Sequence, residues 1–441
     1  MLTAFVYLRH DRYALTLAGV AVVIVVARLA GALFKRIGQP PVIGEVIAGI
    51  ALGPSLLGGW SSGLFPVDSR PLLKILASVG LTVFMFLVGL EMDIGLLVAG
   101  RRHRISSAVA VAGTAVPFGL GVVLAMALHP SHGVGDFLPF ALFIGTAMST
   151  TAFPVLARIL QERQLYDTPL GVLTMASAAG DDVLTWGTLA VVVAIVASTG
   201  AWTLPYILVL SIGFGLLMVL VVRPALARYR DRPLGQGELA MVVAGLLACA
   251  FLTSTIGIHE IFGAFLLGAV FPRGPLADAV QGRLESVATV LLPVFFVTTG
   301  LNVDIGGIGT RGLWQLGLIL VVACSGKLIG AGLGARSQGL PARESLALGV
   351  LMNTRGLTEL VVLNIGRDLG VLDGPLFTLL VMMAVVTTVA TSPLMDVVKP
   401  DPWLGEPAAT SGRPASGGQD AGSGERPRII DRPASDRGGP A

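Results

Sequence analysis

Apolar residues along this 441-residue chain come in long runs divided by short polar stretches. Thirteen runs can be drawn, near 14–34, 41–57, 72–92, 105–128, 137–160, 168–197, 203–222, 237–256, 259–272, 285–303, 312–334, 344–365 and 375–396. A run of about 20 apolar residues matches the hydrocarbon thickness of a bilayer as a helix, so each run predicts a transmembrane helix. The second and ninth are short and Gly-rich. The fifth and twelfth carry polar clusters at 148–154 and 353–359 that a lipid-facing helix cannot hold. These two are predicted to be broken helices. Pro154 removes a backbone donor, and Ser149, Thr150 and Thr151 offer hydroxyls to freed carbonyls or to a cation. In the twelfth run Asn353, Thr354, Arg355, Gly356, Thr358 and Glu359 do equivalent work. Arg355 and Glu359 stand four apart and are expected to pair on one helical face. Opposed half-helix ends place partial charges in mid-membrane.

Composition agrees with the pattern. The chain is 54% hydrophobic and 13% charged, against about 25% charged for soluble domains. The net charge is only +3, and no basic run interleaved with aromatics suggests nucleic acid as a partner. Cys249 and Cys324 lie inside apolar runs, so no disulfide framework or metal cluster is expected. Residues 1–13 are a short mixed segment, and the first apolar run reads as a span, not a signal peptide. The tail, 399–441, is rich in Pro, Gly, Ser and Arg and is expected to be disordered. Lys35, Arg36, Arg101, Arg102, Arg104, Arg158, Arg163, Arg336 and Arg343 fall on one set of alternate loops, while few basic residues fall on the other. That bias puts the N-terminus outside and the C-terminus in the cytoplasm, in an inner membrane.

The two halves resemble each other. The run from Gly44 to Gly53, GEVIAGIALG, matches that from His259 to Gly268, HEIFGAFLLG; Phe84 to Asp93, FMFLVGLEMD, matches Phe295 to Asp304, FFVTTGLNVD; and Met148 to Thr151, MSTT, matches Met352 to Arg355, MNTR. Each pair lies seven runs apart. Seven is odd, so equivalent helices run in opposite directions. Inverted repeats are an architecture of secondary transporters with a site near the bilayer midplane.

Charges inside the runs suggest the chemistry. Asp181 and Asp182 are adjacent in the middle of the sixth run. A charge at a helix centre costs about 2.5–3.5 kcal/mol even on the lenient insertion scale, and two carboxylates also repel. A pair that holds either protons or one bound cation is the simplest use of such an arrangement, and hard carboxylate oxygens suit Na⁺ or Li⁺. Lys327, central in the eleventh run, needs a partner, and a carboxylate of the Asp181/Asp182 pair is the obvious one. Glu45 and Glu260 are repeat-related and are expected to serve helix capping or packing. Glu91, Asp93 and Asp304 fall at run ends, and His103, His129 and His132 in loops.

At these residues the sequence resembles the cation:proton antiporter superfamily in its Kef/Nap-like branch. The matching motifs are QPPVIGE at 39–45, FLVGLE at 86–91, AGDD at 179–182, FFVTTGL at 295–301 and NTRGLTEL at 353–360. The resemblance implies an all-α polytopic protein of the NhaA-like antiporter fold, working as a homodimer. It implies a panel of spans 1–3 and 8–10, a moving core of spans 4–6 and 11–13, and the seventh span as linker. Asp182 matches the essential ion-binding carboxylate, and Asp181 the partner of a lysine at the Lys327 position. Members with this set look like electrogenic Na⁺/H⁺ exchangers that need no cofactor beyond the transported ions. Glutathione-gated K⁺-efflux members differ, with Gln before the essential Asp and a C-terminal nucleotide domain. No Gly-x-Gly-x-x-Gly unit follows the last run here.

Other classes fit less well. An intramembrane aspartyl protease needs two aspartates on different helices, and here they are adjacent. An ion channel would be blocked by a site that traps its ion. The same fold carrying K⁺, or serving resistance to ionophores, stays open as the alternative cargo.

Overall fold

Helices form at every one of the thirteen apolar runs, in a computed structural model that describes residues 12–59, 61, 65–66, 69–91, 101–166, 168–198 and 202–398. The tail at 399–441, most of the N-terminal segment and Asp93 lie outside the described residues. In chain order the helices are α1 (Arg12–Arg36), α2 (Pro41–Leu52), α3 (Arg70–Glu91), α4 (Arg101–His132), α5 (Phe137–Ser149), α6 (Phe153–Glu162), α7 (Pro169–Ala197), α8 (Thr203–Leu217), α9 (Gln236–Ile256), α10 (Glu260–Val270), α11 (Pro275–Leu301), α12 (Thr310–Ser337), α13 (Ala342–Met352), α14 (Leu357–Asp368) and α15 (Gly374–Val398). α8 runs on through a π-helical turn, Met218–Val222, into Arg223–Ala227. No strand occurs among the described residues.

Ten of these spans are long and apolar enough to cross a bilayer, and the α13–α14 pair, bent by 48°, makes an eleventh. The count of thirteen crossings therefore does not follow from length. α2 and α10 have 12 and 11 residues and are about 18 and 17 Å long at 1.5 Å per residue, short of a hydrocarbon core of about 30 Å. Two boundaries also move. α4 extends to residues 101–132 and takes His103, His129 and His132 out of the expected loops into a helix. His132 closes that helix with Nδ1 2.9 Å from Asp373 Oδ2 and Nε2 3.0 Å from Gln315 Oε1. α11 starts ten residues early, because the polar stretch before residue 285 stays helical beyond the apolar run.

Packing sorts the helices into two groups. α1, α2, α3, α10 and α11 pack on one another, with α9 against α10. α4, α5, α6, α7, α12, α13, α14 and α15 form the second group. In the first group the contacts between motif helices are reciprocal: α2 lies on α11, and α10 lies on α3. Glycine makes both crossings so close that backbones touch. A Cβ on Gly49 would lie 2.7 Å from Val297 Cα, and one on Gly300 would lie 2.4 Å from Ile50 N. A Cβ on Gly89 would lie 2.1 Å from Phe265 O, and one on Gly268 would lie 2.1 Å from Phe86 O. Gly89 and Gly300, and Gly49 and Gly268, come from the matched stretches, so each half supplies the partner for the other. Arg28, for which the sequence names no partner, donates from Nη2 to Thr289 O at 2.8 Å and ties α1 to α11.

Gly268→Ala pushes a methyl into the α3 backbone. It is expected to cost about 1–3 kcal/mol by overpacking, read as a lower melting temperature of the protein in detergent. Gly187→Ala, in open space, is expected to leave melting unchanged. Equal melting of the two variants would count against backbone contact as what holds α3 to α10.

Candidate functional site

The second group is built around two interrupted helices. α5 ends at Ser149 and α6 begins at Phe153, with Thr150 and Ala152 extended. α13 ends at Met352 and α14 begins at Leu357. The breaks stitch together. Ala152 N donates to Thr354 O at 2.9 Å, Thr151 Oγ1 to Met352 O at 3.0 Å and Thr358 Oγ1 to Thr151 O at 3.3 Å. Ser149 and Thr150 hydroxyls donate to Thr146 O, and Thr354 Oγ1 donates to Leu351 O. These hydroxyls therefore satisfy freed carbonyls, the first of the two uses open to them.

Arg355 is fully buried inside this crossing. A helix C-terminus leaves carbonyls without donors and carries partial negative charge. Arg355 meets both needs at the end of α5: Nη1 donates to Ala147 O and Nη2 to Met148 O, each at 2.6 Å. Nη1 also donates to Glu359 Oε2 at 2.8 Å. The expected Arg355–Glu359 pair forms, though not on one helical face. Arg355 sits in the break, and only Glu359 lies within α14. Thr388, on α15, clamps the Arg355 backbone, accepting from its N at 3.1 Å and donating to its O at 2.5 Å.

Beside the crossing, α7 carries Asp181 and Asp182 and α12 carries Lys327, all three buried. Neighbours on a helix diverge by about 100°, so the two carboxylates cannot face one lysine equally. Lys327 Nζ donates to both oxygens of Asp181 at 3.0 Å. Thr114 Oγ1, on α4, donates to Asp181 Oδ1 at 2.7 Å. Asp182 Oδ1 is buried and has no hydrogen-bond partner among the described residues. Asn353 Oδ1 is likewise buried without one, while its Nδ2 lies 3.5 Å from Cys324 Sγ. An unpaired buried acceptor costs about 1–3 kcal/mol.

Lys327 reaches this place because α12 lies almost on α4. Gly326, Gly330 and Gly334 form a stripe with no side chains. A Cβ on Gly330 would sit 2.5 Å from Ala112 O, and one on Gly334 would sit 2.7 Å from Ala108 O.

The remaining expected residues lie elsewhere. Glu45 is buried on α2 beside Gly31. Glu260 starts α10, with Oε2 3.2 Å from His259 Nδ1, and its side chain is 33% exposed. The two repeat-related glutamates therefore differ in setting, and no hydrogen bond joins either to Asp181 or Lys327. Sequence reading missed Thr114 and Thr388. The signal for both was a hydroxyl inside an apolar run, which is common, and only the fold shows which such hydroxyls meet a charge.

Two cavities flank the site. One, of about 780 Å³, is lined by Arg70, Lys74, Glu260, Asn364 and Asp368. The other, of about 740 Å³, is lined by Lys35, Glu91, Pro154 and Arg158. Arg70 and Glu91 are the first and last residues of α3, so the cavities lie at its opposite ends. α14 leads from the crossing to the first and α6 to the second. Neither is lined by Asp181, Asp182 or Lys327.

A multi-span helical bundle, with two broken helices stitched together next to buried opposite charges and a cavity toward each end, has the architecture of secondary transporters. The chain belongs to the sodium/hydrogen exchanger family, whose transmembrane profile matches residues 22–397. It is 42% identical over 405 residues to the Na(+)/H(+) antiporter NhaS4 of Synechocystis, covering 88% of this chain and 98% of that protein. It is 33% identical to the K(+)/H(+) antiporter 1 of Saccharomyces cerevisiae over 86% of this chain, spanning only 46% of that longer relative. Among solved structures, the sodium proton antiporter MjNhaP1 of Methanocaldococcus jannaschii shares the fold, with a TM-score of 0.65 at 14% identity over 88% of this chain and all of that one.

Arg355→Gln removes the clamp on two carbonyls and strands Glu359. Breaking a buried pair this way costs on the order of 3–5 kcal/mol, and Arg355→Lys is expected to recover little, since one ammonium cannot replace the planar fork. Thermal unfolding in detergent reads both variants. A Lys variant as stable as the parent would show that charge alone suffices.

Proposed function

We propose that this protein exchanges a monovalent cation, Na⁺ first among candidates, for protons by alternating access, with Asp182 as the carboxylate over which the two compete. The observation that carries the reading is the bare, buried Oδ1 of Asp182 next to a carboxylate already neutralised by Lys327. Asp181 has its counter-charge; Asp182 does not. A protonated Asp182 is neutral, and a cation balances it when ionised. Either state is cheaper in the low-dielectric interior than a bare carboxylate. The carrier therefore crosses loaded with one or the other, which makes it an exchanger and prevents a leak.

In this cycle Na⁺ enters from one cavity and displaces the proton of Asp182. Asp181 turns from Lys327 toward the cation, and Lys327, deprived of its counter-ion, releases a second proton. The group around α4, α7 and α12 then moves as a core against a panel of α1–α3 and α9–α11, and the site opens to the other cavity. α8 serves as the linker. The reading places thirteen crossings in the cytoplasmic membrane, N-terminus outside, in a homodimer. The polytopic helices and the basic bias of one loop set support this placement. K⁺ as cargo is the second reading, favoured by the similarity to a K(+)/H(+) antiporter.

Proton flux in inverted vesicles, compared across Na⁺, Li⁺ and K⁺, tests the reading directly. Asp182→Asn keeps the shape and loses the titrating ligand, so exchange is expected to vanish while the protein still inserts. Retained Na⁺-dependent flux in that variant would overturn the assignment. Apparent cation affinity is expected to weaken as pH falls, as competition at one set of oxygens requires.

Lys327→Gln removes the second proton. Charge carried per cycle is expected to drop, with cation-dependent flux retained in part. A variant with the parent's voltage dependence would show that Lys327 does not set coupling.

A further inference from the structure

The Thr114 hydroxyl has one hydrogen and two acceptors. Oγ1 lies 2.7 Å from Asp181 Oδ1 and 2.8 Å from Ala110 O, one helical turn back on α4. Both distances are those of full hydrogen bonds, yet a hydroxyl donates only once and accepts through its lone pairs. The hydrogen goes to one acceptor at a time or is shared between them, as at Thr388, which faces two carbonyls, Arg355 O and Ala384 O, in the same way. Were Asp181 to take up a proton, its hydroxyl could donate to Thr114 while Thr114 donates to Ala110 O, whose amide partner in the helix leaves it a second lone pair. With Asp181 ionised, Thr114 donates to Asp181 and Ala110 O keeps its helical bond alone. One small rotation of the hydroxyl therefore satisfies Asp181 in either charge state, with no heavy atom moved.

From this geometry we infer that Thr114 is a positioning residue for ion exchange, holding Asp181 Oδ1 in place throughout the cycle while Lys327 and the cation take turns at the rest of the carboxylate. The inference rests on the exchange reading above. Its physical content is specific. When Lys327 withdraws, Asp181 is buried and ionised, and without Thr114 it would have no fixed donor left among the contacts described. The charged groups facing Asp181 are Lys327 on α12 and Asp182 on its own helix, and Lys327 in turn lies in the field of Arg355 in the break and Glu359 on α14. None of these can donate to Asp181 in the loaded state as a neutral hydroxyl can. The close approach of α12 to α4 explains why the hydroxyl comes from α4. Pro117 packs within 2.8 Å of a Cβ placed on Gly326, so Thr114, one turn before Pro117, faces the same seam as Lys327.

The sign of the effect follows from bond strength. A hydrogen bond to an ionised carboxylate is stronger than one to its protonated form, so Thr114 favours the ion over the acid. Removing it lets protons compete better for the site. Thr114→Val, which keeps the shape, is expected to move the half-maximal pH of Na⁺-dependent proton flux upward by roughly one unit. At neutral pH it is expected to raise the apparent KM for Na⁺ by roughly 5- to 10-fold, with a smaller change in maximal rate. Thr114→Ser keeps the hydroxyl and is expected to restore both. Rates are taken per inserted protein, and Thr114→Ala carries the same test if the valine variant inserts poorly. A merely structural threonine would alter the amount or maximal rate of exchanger and leave the pH profile and KM alone. A valine or alanine variant with the parent's pH profile and KM overturns the inference, as does a serine variant shifted as far as valine. Asp182→Asn in the same vesicles separates the two levels. If it keeps exchanging, the ion-site reading fails; if it is inactive while Thr114→Val matches the parent, only the role of Thr114 fails.

Discussion

Inside hydrocarbon no water is available to a backbone amide or carbonyl, so a helix can be interrupted only where protein satisfies what the break exposes. This chain interrupts two helices, and much of the second helical group is arranged to make that tolerable. The breaks bond to each other through Ala152 and Thr354, and side-chain hydroxyls cover further carbonyls. One guanidinium does the rest: Arg355 gives its two terminal nitrogens to the last carbonyls of α5. A buried cation then needs an anion, which explains Glu359 one turn into α14, and a fixed backbone, which explains Thr388 on α15. From one constraint follow the polar residues of three helices.

The second cluster of charge obeys a different rule. Around Arg355 the two terminal nitrogens are paired with carbonyls and Glu359, while Arg355 Nε and Glu359 Oε1 are buried without a partner among the described residues. Around Asp181, Asp182 and Lys327 the pairing is deliberately uneven. Lys327 neutralises one aspartate and leaves its neighbour with an unpaired oxygen. A satisfied network would rigidify the site; under the proposed reading, the unpaired oxygen lets a small cation or a proton decide its energy. The crossing joins the two breaks through direct hydrogen bonds, and under the proposed reading exchange belongs to the Asp181, Asp182 and Lys327 group beside it. The glycine stripe of α12 lays Lys327's helix against α4, which carries Thr114, just as the glycines of α2, α3, α10 and α11 hold the first group by backbone contact.

The sequence by itself determined the helical class, because 3.6-residue geometry and a dry solvent leave few options for long apolar runs. It determined the places of both breaks, because Pro154 and the clusters around Thr150 and Thr354 cannot be carried in lipid. It also singled out Asp181, Asp182 and Lys327, because uncompensated charge in such a run is costly. It could not choose between the aspartates as partner of Lys327, since neighbouring residues differ only in the direction they face. It placed Arg355 and Glu359 on one helical face, because spacing shows separation and not where a helix begins. It counted α2 and α10 as spans from apolar character, which does not measure length against a bilayer, so at 12 and 11 residues they carry the thirteen-span count only within the proposed reading. Tertiary structure alone decided which hydroxyls among many reach a charge: Thr114 and Thr388 look like their neighbours until close packing on glycine brings distant segments together. Contacts of that kind depend on how helices cross, and no local pattern along the chain encodes a crossing.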